Sequence, residues 1–152
     1  MQRRDLPKVR RFVISDSVET TGSPDAVLER LLRPATWPQW QSEIRSVSGP
    51  ERVVSGSVVG GRASMLGFNV DGQSVAVEVG QSVFEEDVVV GVGMRIRYEI
   101  ETTSAGSRIT HTLSSELPEG ALGRVLSFFL ARRLRRMQKE LLEKLGRQAE
   151  AS

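Results

Sequence analysis

Two hydrophobic periods divide this chain. From residue 9 to about 118 the apolar positions alternate or form short runs; from about 119 to 147 they fall at helical spacing. The first stretch, VRRFVISDSVE (9–19), reads as a strand. In TGSPDAVLERLLRP, Ser23 suits an N-cap, Pro24 the first helical position and Asp25 the positive helix end, and Pro34 stops the helix. TWPQW (36–40) fits a second short helical turn, because proline is tolerated in a first turn. Strand patterns follow: SEIRSVSGPERVVSG with a break at Gly49-Pro50, SVVGGRASMLGFNV, QSVAVEVG, VFEEDVVVGV, GMRIRYEIETT and RITHTLSSEL. Asp71-Gly72 is a strong two-residue hairpin signal, and TSAGS is a turn. Leu122, Val125, Leu126, Phe129, Leu130, Leu134, Met137, Leu141 and Leu145 then mark one long amphipathic helix.

Strands joined by short turns form an antiparallel meander, and such a sheet needs one face covered. A single long helix covers it if the sheet curls around it. The predicted class is therefore α+β, in one domain over 1–152. Residues 1–8 are expected to be flexible and 148–152 frayed.

Composition narrows the chemistry. The chain has 152 residues, 39% hydrophobic and 26% charged, which suits a globular domain. It has no cysteine and one histidine, so no thiol nucleophile, cysteine-held metal or multi-histidine zinc site is available. No metal and no cofactor are expected. P-loop and dinucleotide-binding glycine patterns are absent, since Gly91 and Gly93 lie between strands. The basic N-terminus is not followed by a signal-peptide core, and the cytoplasm is the expected compartment. Net charge is only +2, which argues against a nucleic-acid partner. The cations cluster, however: Arg3, Arg4, Lys8, Arg10 and Arg11 at the start, and Arg132, Arg133, Arg135, Arg136 and Lys139 on the last helix. Such a stripe is either a solvated face or a weak contact for an anionic membrane. A homodimer is compatible with the pattern.

The order of elements resembles the helix-grip fold of the START/Bet v1-like (SRPBCC) superfamily, and within it the polyketide cyclase/dehydrase-like group. The resemblance rests on SPDAVLERLLRPATWPQW, the Asp71-Gly72 signal, GMRIRYEIETTSAGSRITHTL and the long last helix. It implies a curved sheet of about seven strands gripping the last helix. It also implies a cavity between them that takes a hydrophobic or amphipathic small molecule.

Strand registers give candidate cavity residues. A loop centred on Ser104-Ala105 pairs Ile100 with Ile109 and so Tyr98 with His111, on the same face as Ile96. That pair either orients a ligand carbonyl and moves a proton, or completes the core. A turn at Asp71-Gly72 pairs Phe68 with Val75, Leu66 with Val77 and Arg62 with Gln81. With Val75 and Val77 inward, Arg62 and Ser64 share the inner face, and Arg62 becomes an anchor for a ligand anion unless a bulge turns it out. Glu85, Glu86 and Asp87 alternate across a strand and read as solvated or structural; a buried Glu86 would pair with Arg62. Leu126, Phe129 and Leu130 are the expected helix contribution. Of the two tryptophans, Trp40 is the expected inward residue at the cavity mouth, and Trp37 is expected to pack at the edge or stay partly exposed.

Three functions remain open at this level. One is a binding protein with cyclase, dehydrase or aromatase-like activity, in which Arg62 and Tyr98 polarise a carbonyl and His111 shuttles a proton. The second is a non-catalytic carrier or sensor of lipid, fatty acid or quinone. The third is a stress-related interaction protein with an exposed apolar patch.

Overall fold

A computed structural model describes residues 9–65, 67–118 and 121–151. Strand β1 (Val9–Thr20) leads to helix α1 (Pro24–Leu32), a 3-10 turn (Pro34–Thr36) and the single-turn helix α2 (Trp37–Trp40). Strands β2 (Ile44–Ser48), β3 (Val58–Met65), β4 (Phe68–Val79), β5 (Val83–Val89), β6 (Gly93–Thr102) and β7 (Ser107–Pro118) follow, and helix α3 (Ala121–Glu150) ends the chain. All seven strands form one curved antiparallel sheet in the order β1-β7-β6-β5-β4-β3-β2.

Local chemistry explains the short helices. The Ser23 hydroxyl accepts from the Ala26 amide at 3.1 Å and caps α1, with Pro24 at its first position. Pro34 then breaks the helix, and the chain turns through the 3-10 segment into α2. Helix α3 packs on β1, β7, α1 and α2. Its buried face, Leu134, Gln138, Leu141, Leu142 and Leu145, meets Ile14, Ile109 and Leu113 from the sheet.

The β6–β7 register is as expected: Ile100 faces Ile109 and Tyr98 faces His111. The β3–β4 register is not. The turn lies between Met65 and Phe68, where Gly67 has φ +83°, and Asp71-Gly72 sits inside β4 opposite Arg62 and Gly61. Gly67 thus supplies the left-handed conformation that the tight turn requires. Moving the turn reverses which β4 side chains face inward. Ser74 and Ala76 are buried, whereas Val75 and Val77 lie on the outer face. Phe68, at the hairpin tip, is 73% exposed. Arg62 is also on the outer face, with its side chain 61% exposed and its Nε 3.3 Å from Asp71. Ser64, two residues on, shares that side. Neither side chain points inward, although Arg62 is among the residues that line the opening between the sheet, α2 and α3.

Candidate ligand cavity

The inner face of the sheet is not filled evenly. Where β6 and β7 contribute large side chains, the core closes. Where β3 and β4 contribute Gly61, Gly72 and Ser74, an opening of about 110 Å³ remains between the sheet, α2 and α3. Gly61 and Gly72 face each other across the β3–β4 ladder. A Cβ on Gly61 would lie 2.3 Å from the Ser46 carbonyl oxygen, so β2 approaches too closely for any side chain there.

The walls are mainly apolar, Trp37, Val59, Val88, Met94, Ile96 and Met137 among them, with Gln41, Glu43, Ser46, Arg62 and Gln73 as further polar members. One ionisable group lies deep among them. Glu86 is only 4% exposed, on the inner face between Phe84 and Val88. Its Oε2 accepts a 2.6 Å hydrogen bond from the Ser74 hydroxyl. Burial pushes the Glu86 carboxyl up to about 7, and the Ser74 hydrogen bond opposes this only in part. Its neighbours Glu85 and Asp87 face outward, where Arg97 and Arg95 pair with them. Glu86 therefore pairs with serine, not with Arg62.

The other polar groups of the interior continue from Glu86. Tyr98 on β6 lies diagonally across from Glu86 on β5, His111 on β7 faces Tyr98, and Gln138 on α3 reaches His111. The Tyr98 and His111 rings meet edge-on with centroids 4.9 Å apart. The Gln138 amide nitrogen lies 2.8 Å from His111 Nδ1, 2.9 Å from the His111 carbonyl and 3.4 Å from the Ile14 carbonyl. Two carbonyls identify it as a donor, so Nδ1 is the acceptor and the ring proton sits on Nε2. Burial lowers His111 to about 4, with Asp16 opposing, so the ring is neutral at pH 7. Tyr98 is raised well above its usual value, first by burial and then by the charge of Glu86. The Tyr98 hydroxyl and His111 Nε2 are buried with no hydrogen-bond partner among the described residues.

Several expectations meet a different geometry. Ile96 lines the cavity, but Tyr98 and His111 do not; they stand behind it in the core. Trp40 is buried edge-on against Tyr98, with ring centroids 6.1 Å apart, and does not line the cavity. Trp37 is the lining indole and is buried, not partly exposed, because its ring packs on Phe84 and its Nε1 donates to the Leu31 carbonyl at 3.0 Å. Leu130 is half-buried against the core, whereas Phe129 turns to solvent. Leu66 and the side chain of Leu126 lie outside the described residues. Glu86, Trp37 and Met94 are the residues that sequence reasoning undervalued. Period-2 alternation from Phe84 was the available signal for Glu86.

Comparison with known proteins fits this arrangement. The sequence profile described as "Polyketide cyclase / dehydrase and lipid transport" matches residues 11–150. The chain belongs to that family. No curated protein matches it in sequence. Among solved structures, the Zhui aromatase/cyclase from Streptomyces sp. R1128 superposes with a TM-score of 0.79 at 15% identity, covering 93% of this chain and 94% of its own. A Staphylococcus aureus protein of unknown function, SA2116, gives 0.79 at 10% identity, covering 95% and 96%. Ara h 8.0201 gives 0.69 at 9% identity, covering 94% and 100%. At such identities the likeness establishes the fold alone: the family member described here has a Bet v1-like helix-grip fold. Among its described residues no helix is long and apolar enough to cross a membrane.

Proposed function

We propose that this protein binds a hydrophobic or amphipathic small molecule whose carbonyl or hydroxyl group is held by Glu86. The observation that carries this reading is a carboxyl buried in an apolar cavity wall with a serine hydroxyl as its protein partner. A carboxyl placed there strongly prefers a further hydrogen bond, because an unsatisfied buried polar group is costly. As the acid it donates to a carbonyl oxygen; as the carboxylate it accepts from a hydroxyl or enol. Near pH 7 both forms are populated, which suits proton transfer beside a carbonyl, as in cyclase or dehydrase chemistry. Tyr98 and His111 stand next in the polar row, as the donors that a ligand reaching past Ile96 meets. Arg62 has no part in this version, since it pairs with Asp71 outside.

The volume of about 110 Å³ is well below the roughly 300 Å³ of the smaller drug-sized pockets. The cavity therefore takes one ring of a fused aromatic ligand or a short acyl segment, with any further ring or longer part of the ligand lying towards Gln41 and Glu43. A non-catalytic carrier is the second reading, favoured by walls that are otherwise mainly apolar.

The test compares binding of 2-naphthol with that of naphthalene, followed by isothermal titration calorimetry. Wild type binds the hydroxyl-bearing ring about tenfold more tightly, and Glu86→Leu abolishes that difference. Equal affinities in wild type, or an unchanged preference in Glu86→Leu, would refute the role of Glu86. Turnover of a β-keto thioester by wild type but not by Glu86→Gln separates the enzyme from the carrier.

A further inference from the structure

Helix α3 is built differently along its two halves. Its buried face seats on the sheet from Leu134 to Ala149. Its outer face carries Phe128 and Phe129, each 64% exposed, with rings edge-on at 5.7 Å. Over the next three turns come Arg132, Arg133, Arg135, Arg136 and Lys139, all exposed. Helical spacing places Phe128, Arg132, Arg135 and Lys139 in one row, and Phe129, Arg133 and Arg136 in the next. No acidic residue occurs from Ala121 to Lys139; the first is Glu140.

These cations differ from those on the sheet. Arg95, Arg97 and Arg108 pair with neighbouring carboxylates. None of the five α3 cations has an ion-pair partner among the described residues. An exposed aromatic pair beside unneutralised arginines is chemically complete only against a partner that is both anionic and apolar.

We infer that the Phe128–Lys139 face of α3 docks on the surface of an anionic phospholipid bilayer. The two rings enter the interfacial zone, where aromatic side chains partition, while the guanidinium groups bind lipid phosphates in charge-assisted hydrogen bonds. A double-helical nucleic acid, with its bases already stacked, would satisfy the arginines but leave the phenylalanines in water, and the net charge of only +2 does not suit a strand-binding groove. The face is separate from the cavity, so this inference does not rest on the role proposed for Glu86.

The test is co-sedimentation of the full chain with vesicles of phosphatidylcholine alone or with about a third phosphatidylglycerol, at low and high salt. Anionic vesicles are expected to bind at least tenfold more tightly, with the preference shrinking as salt rises. Phe128→Ser/Phe129→Ser weakens binding about tenfold and keeps the salt dependence. Arg132→Gln/Arg136→Gln weakens it by a similar factor and flattens the salt dependence. Circular dichroism and 2-naphthol binding stay as in wild type, which shows that the variants are folded. Absence of binding to anionic vesicles at low salt, or equal binding to both compositions, overturns the inference. So does an unaltered affinity of the phenylalanine variant, which would mark the stripe as a plain polyanion site. In the wild type, absent vesicle binding with intact 2-naphthol binding refutes docking alone; the converse refutes the cavity reading alone.

Discussion

The β6–β7 and β3–β4 hairpins lie in one sheet but build its inner face in opposite ways. In β6–β7 the inward positions are large: Met94, Ile96, Tyr98 and Ile100 oppose Ser115, Leu113, His111 and Ile109, and most are fully buried. In β3–β4 the inward positions are mostly small, Gly61, Ala63, Gly72, Ser74 and Ala76 beside Val59 and Val70, while Val58, Val75 and Val77 face out. The valines satisfy strand propensity on the outer face. The small residues leave the opening into which Glu86 projects. One hairpin is the anchor of the core and the other is the wall of a binding site.

The largest effect expected from this contrast is on stability. Tyr98→Ala in β6 removes a ring packed on Phe84, Trp40 and His111, and should cost about 3–5 kcal/mol in urea unfolding. Val77→Ala on the outer face of β4 should cost less than about 1 kcal/mol. Comparable losses would erase the distinction between anchor and wall.

Next in size is a pair of opposed pH dependences, each on the order of 3 kcal/mol. Glu86 has a folded value near 7 against an ordinary 4.5, so the native state holds the extra proton between them. Its contribution is full below about 4.5 and is lost as pH rises through 7. His111 has a folded value near 4 against 6.5, so its contribution is full above 6.5 and is lost as pH falls through 4. The two nearly cancel, and wild-type stability should be almost level from pH 4 to 7. Glu86→Gln should uncover a rise in stability with pH over that window, read from urea midpoints at several pH values. A level profile in the variant would contradict the burial of His111, and a rise with pH in the wild type would contradict that of Glu86.

A smaller effect separates the two glycines. Gly67→Ala places a side chain at φ +83° and should cost about 1 kcal/mol. Gly72→Ala meets Val90 at an acceptable 3.4 Å, so it should change stability by less than that while narrowing the cavity and weakening 2-naphthol binding. The opposite order in thermal unfolding would restore the turn to Asp71-Gly72. The smallest effect belongs to Arg62→Gln. Its exposed pair with Asp71 should contribute within about 0.5 kcal/mol, and ligand affinity should not change.

How much was legible follows the same contrast. In β6–β7 the apolar alternation and a short polar loop agree, so the register and the Tyr98–His111 pairing could be read directly. In β3–β4 two signals conflicted. Asp71-Gly72 is good turn chemistry, and β-branched valines look like core. Neither says that a neighbouring cavity needs Gly72 for space. The same holds for TWPQW, whose helical turn was readable. That Trp37 leans over the cavity while Trp40 seals Tyr98 depends on how α2 crosses the sheet end.

The sequence by itself determined the order of elements, the strand count, the helix cap at Ser23, the long amphipathic helix and the β6–β7 register. Each of these follows from local periodicity, local capping or a loop of definite length. Tertiary structure alone decided the β3–β4 register, the outward turn of Arg62, the pairing of Glu86 with Ser74 and the separation of the cavity from the Tyr98–His111 pair. These depend on which sheet face meets α3 and where β2 closes on Gly61, contacts between residues far apart in the chain that no local period encodes.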